Sequence, residues 1–220
     1  MNVLLFGATG MVGHGVLLEC LEDARVARVV SVVRRATGVT HAKLTEVVHA
    51  DFTDYGAIEK DLAGTDACFF CLGVSSAGMK EPAYTVITHD YAIAVAQVLK
   101  RLNPALTFCF VSGAGTDSTE KGRSMWARVK GRTENEIIAM FERGFAFRPA
   151  YIHPMKGVTS RTALYRVFLV VFRPLYPVMR TLFPHVVTTT VAIGRAMLAT
   201  VGAPPSKRVL EVDDINALAG

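Results

Sequence analysis

Along the first two thirds of the chain, short apolar runs alternate with stretches in which apolar residues recur every three or four positions. The runs NVLLFG (2–7), RVVSVVR (28–34), TEVVHA (45–50), ACFFCLG (67–73), LTFCFVS (106–112) and FAFRPA (145–150) are rich in β-branched and aromatic residues. They predict strands buried on both faces, as in a parallel sheet. Amphipathic stretches at 11–23, 55–63, 82–102 and 124–143 predict the intervening helices, with Ser124 as a helix cap and Trp126, Val129 and Thr133 facing inward. Alternation of this length means βαβ units: an α/β fold with a doubly wound parallel sheet, the Rossmann fold.

The pattern changes over 157–185. Apolar residues crowd together from Leu164 to Phe183, Pro174 and Pro177 interrupt them, and Arg166 and Arg173 fall on one helical stripe. Two short amphipathic helices are expected there, packed over the sheet or serving as a lid, a homodimer surface or a membrane-surface contact. Beyond them, 185–198 reads as a helix, 207–212 as a final strand and DDINALA as a terminal helical turn. With no repeat and no linker, residues 1–220 are expected to form a single domain, with 157–200 as a small C-terminal helical substrate or lid region.

Composition adds limits to this picture. At 220 residues, 51% hydrophobic and 20% charged, the chain is a globular one. No apolar run reaches the length of a membrane span, and the N-terminus lacks the basic region of a signal peptide, so a cytoplasmic protein is expected. The net charge of +5 is uneven: residues 1–142 hold 14 Lys/Arg and 16 Asp/Glu, residues 143–220 hold 10 and 3. A basic final third suits an anionic small-molecule substrate, an anionic membrane surface or an acidic partner; no nucleic-acid motif accompanies it, and no nucleic acid is expected. Cys68 and Cys71 form a C-x-x-C inside an apolar strand, which places them on opposite faces as core thiols. The histidines have no metal-ligand spacing, so no metal site is expected, and the hydrolase elbow G-x-S-x-G is absent from VSGAG.

The chemistry begins at FGATGMVGHG (6–15). Gly7, Gly10 and Gly13 follow the first strand and open the first helix. The first glycine permits the tight turn, the second lets a pyrophosphate approach the backbone, and the third lets the helix pack on the strand. The free N–H groups of the helix start then face the phosphates, with Thr9, Met11 and Val12 in the same turn. The second strand ends in Arg34 and Arg35, where an acidic residue would bind the ribose 2′-hydroxyl of NAD; guanidinium groups pair instead with a 2′-phosphate, favouring NADP(H) over NAD(H). Asp51 and Phe52, ending the third strand, are expected at the adenine edge, and Leu72 and Gly73, ending the fourth, beside the ribose.

With these residues in place, the chain resembles the atypical branch of the short-chain dehydrogenase/reductase superfamily. It is most similar to the Tat-interacting-protein-like oxidoreductases, also called NAD-dependent epimerase/dehydratase-like proteins. The resemblance rests on GATGMVG, VVRR, ADFTDY, CLGVSSAG, FVSGAG, WARVKGRTENEI and FRPAYIHP, and covers nearly the whole chain. It implies hydride transfer to or from a small carbonyl, alcohol or sugar-like substrate. It also implies a site of serine, tyrosine and lysine: Ser112 orients the substrate oxygen, and Lys130 binds the nicotinamide ribose and lowers the pKa of the tyrosine that moves the proton. The tyrosine position, four residues before Lys130, holds Trp126. An indole N–H donates a hydrogen bond but has no proton to give. Three readings follow. Another hydroxyl substitutes, with Tyr151 the first candidate and Tyr84 and Tyr91 behind it; water or Lys130 gives the proton; or the chain is a non-catalytic NADP(H)-binding regulator that engages a partner.

Overall fold

In the computed structural model, residues 1–159 and 176–220 are described. Seven parallel strands form one sheet: β1 (Asn2–Phe6), β2 (Arg28–Val33), β3 (Leu44–Val48), β4 (Ala67–Phe70), β5 (Thr107–Val111), β6 (Gly144–Arg148) and β9 (Val209–Glu211). Their order is β3-β2-β1-β4-β5-β6-β9. The chain reverses direction across the sheet between β1 and β4, which creates a crevice above the carboxyl ends of these strands. A second, two-stranded parallel sheet pairs β7 (Tyr151–His153) with β8 (Val187–Thr189).

Strict alternation along the strands builds two cores. Val3 and Leu5 point into one layer and Leu4 and Phe6 into the other. The first layer is closed by α1 (Met11–Glu22), α7 (Thr190–Gly202) and α8 (Val212–Ala219). The second is closed by α2 (Glu59–Leu62), α4 (Tyr91–Leu102) and α5 (Met125–Met140). Cys68 lies in the second core and Cys71 packs against the first, and burial raises both thiol pKa values well above normal. An aromatic ladder crosses the second core, with Phe108 stacked on Phe141 at 5.3 Å and Phe70 on Phe110 at 6.0 Å. Each such pair adds about 0.5–1.5 kcal/mol beyond its buried area.

Three elements depart from the sequence expectation. The helix expected over 55–63 is a 3-10 turn (Gly56–Ile58) running into the four-residue α2. The helix expected over 82–102 is α3 (Glu81–Thr85), a π-type turn (Val86–Asp90) and α4, so its apolar face shifts phase midway. The helix expected from 185 begins only at Thr190. Val187–Thr189 pairs with β7, and the Thr189 hydroxyl accepts the Ala192 N–H at 2.9 Å to start α7. A run of β-branched residues suits a strand better than a helix start.

Residues 190–200, assigned from sequence to the C-terminal substrate region, lie in the helix layer beside α1. Ile193, Ala196 and Met197 are in its core. Contact there is close: a Cβ on Gly15 would sit 2.4 Å from the Thr190 Cβ. Glu19 of α1 is buried and ties the layer together, reaching Arg195 Nε at 3.1 Å and Lys156 Nζ at 2.5 Å. Of the two helices expected over 157–185, α6 (Tyr176–Leu182) is described and leaves Val178 and Leu182 exposed, as is Phe183 beyond it. The first, with Arg166 and Arg173, lies outside the described residues. No described helix is long and apolar enough to cross a membrane.

Candidate functional site

The glycine turn sits at the mouth of the crevice. Gly7 has φ +84°, and a Cβ there would lie 2.7 Å from the backbone of Cys71 and Leu72. Turn and β4 exit are therefore in direct contact. A Cβ on Gly13 would meet the Gly7 carbonyl oxygen at 2.1 Å, so α1 can approach the turn only without a side chain there. No side chain caps α1, and the N–H groups of its first turn keep their hydrogen-bonding capacity. A cleft of about 410 Å³ opens over this turn.

Of the residues singled out by sequence, Gly7, Thr9, Gly10, Met11, Arg34, Phe52, Leu72 and Gly73 line this cleft. Arg35 lines an adjoining depression with Thr9, Arg34 and Ala36. Both arginines are exposed, and neither has a carboxylate partner among the described residues. Val12 and Gly13 do not line the cleft: Val12 packs toward the first core, and Gly13 faces the turn. Asp51 also departs from expectation. Its carboxylate turns back to accept the Thr53 N–H at 2.9 Å and the Thr53 hydroxyl at 2.5 Å, which holds its pKa low, and the neighbouring Ala50 and Phe52 line the cleft instead. Sequence reading missed Ile87 as a lining residue and placed Tyr91 among proton donors. They are four apart and reach the cleft together from the π-type turn and α4, with the Tyr91 ring 5.6 Å from that of Phe52.

A second constellation stands where β5 ends. Ser112 is buried, and its hydroxyl turns away from the expected substrate role: it donates to the Glu134 carboxylate and lies 3.1 Å from the Phe147 carbonyl oxygen. Glu134 is fully buried and accepts from Arg148 Nε at 3.0 and 3.2 Å. Lys130 Nζ donates to the Ser112 carbonyl oxygen. Burial lowers the Lys130 pKa from 10.5 to about 8, against the opposing pull of Glu134. Trp126, one turn before Lys130 on α5, lays its indole edge 3.5 Å from the position a Cβ on Gly115 would take, and its N–H has no partner among the described residues.

The tyrosines are dispersed. Tyr84 is buried, and burial raises its pKa. Tyr91 is at the Phe52 end of the cleft. Tyr151, on β7, is buried with its hydroxyl 3.5 Å from His153 Nδ1, and burial raises its pKa as well. His153 in turn stacks on Tyr176 at 3.7 Å.

Residues 7–139 match the family described as NAD(P)H-binding. The chain is 31% identical over 159 residues to the mitochondrial protein fmp52 of Aspergillus fumigatus, covering 69% of this chain and 66% of that one. It is 29% identical over 164 residues to mitochondrial FMP52 of Chaetomium globosum, covering 73% and 70%. The chain thus spans about two thirds of the length of these relatives. The names correct the expectation of a cytoplasmic protein, since these relatives are mitochondrial; a readable signal peptide marks secretion, and its lack says nothing of organelles. Among solved structures, the Bordetella bronchiseptica enzyme WbmF in complex with NAD+ superposes with a TM-score of 0.69 at 14% identity, covering 99% of this chain and 76% of that one. Glucuronic acid dehydrogenase from Chromohalobacter salexigens gives 0.68 at 16%, covering 95% and 75%. At such identities these likenesses establish the fold. The chain belongs to the NAD(P)H-binding family and has the Rossmann architecture.

Proposed function

We propose that this chain is an NADP(H)-dependent oxidoreductase of the atypical short-chain type, acting on a small carbonyl, alcohol or sugar-like compound. The observation that carries the cofactor is the uncapped start of α1 opening into a cleft that also holds Arg34, which has no carboxylate partner among the described residues. Gly10 fits a phosphate there: it lines the cleft, and a Cβ on it would have only the Gly7 carbonyl, at 3.3 Å, for company, so it would project into the space a pyrophosphate needs. Phe52 and Tyr91 form the apolar wall for the adenine, and Arg34 and Arg35 receive the 2′-phosphate. When bound, the nicotinamide supplies or takes up hydride.

Lys130 is the chain's proton donor in this reading. A lysine with a pKa near 8 is matched to acid–base work at neutral pH. Trp126 offers to the substrate oxygen an indole N–H that has no partner among the described residues, and the basic C-terminal third favours an anionic substrate. The relatives' names support a mitochondrial setting.

A second reading, a non-catalytic NADP(H)-responsive regulator, is favoured by the Ser112 hydroxyl being engaged by Glu134. Titration separates the parts of the proposal. Trp126 is the only tryptophan, so its quenching and sensitised nicotinamide emission report binding. Tighter binding of NADPH than of NADH is expected, and no response to either sinks both readings. NADPH oxidation with a panel of carbonyls, lost in Lys130→Ala, supports the enzyme; binding without turnover across the panel supports the regulator.

A further inference from the structure

Glu134 carries no role in the proposal above, yet three groups converge on it. Its carboxylate is fully buried, accepts from two nitrogens of Arg148 and receives the Ser112 hydroxyl. Arg148 is itself anchored from behind, to the Ser118 hydroxyl at 2.5 Å and to Glu211 at 3.4 Å, so the pair has little freedom.

Ser112 is thereby bracketed on every polar atom. Its N–H donates to the Phe147 carbonyl at 2.8 Å, its hydroxyl is held by Glu134, and its carbonyl accepts from Lys130. Lys130 and Glu134 are four apart on α5, on the same face as Trp126. We infer that Glu134 is a positioning residue which, through Ser112, fixes the carbonyl that holds the Lys130 ammonium and so aims that ammonium at the crevice beside Trp126. The inference rests on the proposed role of Lys130. It reassigns Ser112 from orienting substrate to linking Glu134 with Lys130. The charges involved are Glu134 on α5, Arg148 on β6 and Glu211 on β9; of these, Glu134 is the one that acts to keep Lys130 protonated against its burial.

The test uses the whole protein with carbon-13-labelled lysine. The Lys130 side-chain resonance is assigned by its disappearance in Lys130→Arg and followed through a pH titration, alongside the pH dependence of the NADPH dissociation constant. The wild-type midpoint is expected near pH 8. Glu134→Gln keeps the shape and removes the charge, and should lower that midpoint by about one unit and weaken NADPH binding severalfold near neutral pH. Glu211→Gln removes the exposed partner of the same arginine and should leave the midpoint in place. If Glu134→Gln does not fold, Glu134→Gln with Arg148→Gln removes the carboxylate without stranding a guanidinium, and the same fall is expected. An unmoved midpoint in the folded Glu134 variant, or an equal fall in Glu211→Gln, overturns the inference. Wild-type NADPH binding that ignores the Lys130 titration defeats the proposed role of Lys130 instead, a separate result, because the resonance itself is read without cofactor.

Discussion

The glycine turn and the end of β5 are built by different means. Around the glycine turn the geometry is made by backbone: a positive φ at Gly7, a missing side chain at Gly13 and the bare start of α1. At the end of β5 it is made by side chains that hold one another, Ser112 by Glu134, Glu134 by Arg148 and Lys130 by the Ser112 carbonyl. The first kind leaves no room for an added atom at Gly7 or Gly13. The second kind changes its chemistry when one partner changes.

The largest effect should come from the backbone end. Gly13→Ala drives a methyl into the Gly7 carbonyl, 2.1 Å away. Overpacking of this kind costs about 1–3 kcal/mol, and the displaced turn should abolish NADPH binding. Gly10→Ala sharpens the point, because its Cβ has a single contact at 3.3 Å. That variant should unfold at nearly the wild-type temperature while its NADPH affinity falls steeply. Equal loss of stability in both variants would show that the turn is merely structural.

At the side-chain end, Trp126→Tyr should restore the missing acid beside Lys130. A positioned general acid is worth about 10²–10⁴-fold in rate, so NADPH oxidation with a responsive carbonyl should rise by about 10²-fold. No rise in a variant that still binds NADPH would favour the regulator. Smaller again is the cofactor choice. Arg34→Ala and Arg35→Ala each remove one charge-assisted partner of a 2′-phosphate, and should each cut the NADPH-to-NADH affinity ratio by about tenfold. An unchanged ratio would make them ordinary surface arginines.

The same contrast explains what could be read from the sequence. The sheet, the glycine turn and the cleft-lining role of Arg34 and Phe52 follow from local signals: apolar runs, glycine spacing and strand ends. The orientation of Ser112 does not, because it is set by Glu134, 22 residues away, and by Arg148, 14 further on. One clue was present. Phe108, Phe110 and Ser112 alternate along β5, and the two phenylalanines share a core with Ile137 and Phe141 on the α5 side. A period of two therefore sends Ser112 toward α5 rather than over the sheet edge. Asp51 was misplaced for a related reason. An aspartate two residues before a threonine satisfies itself locally in an Asx turn, and that bond wins over one to a distant ligand. The start of α7 was lost to the strand preference of Val187–Thr189, which depends on β7 being alongside.

The smallest and most diagnostic effect concerns the charge on Lys130. Its folded pKa, about 8, lies below the 10.5 of an unfolded lysine, chiefly because burial disfavours the ammonium. Between those values the unfolded chain binds more protons than the native one, so stability rises with pH there. Below pH 8 both states are charged and the native protein carries the full cost of enclosing the ammonium. Lys130→Met keeps the length of the side chain and removes that cost. It should therefore raise the urea midpoint at pH 6–7, and the gain should shrink as the pH climbs from 8 toward 10.5. Gly10→Ala removes no ionisable group, so it should show no such pH-dependent difference from wild type. A constant gain for Lys130→Met across the range would mean that packing, and not a buried charge, separates the end of β5 from the glycine turn.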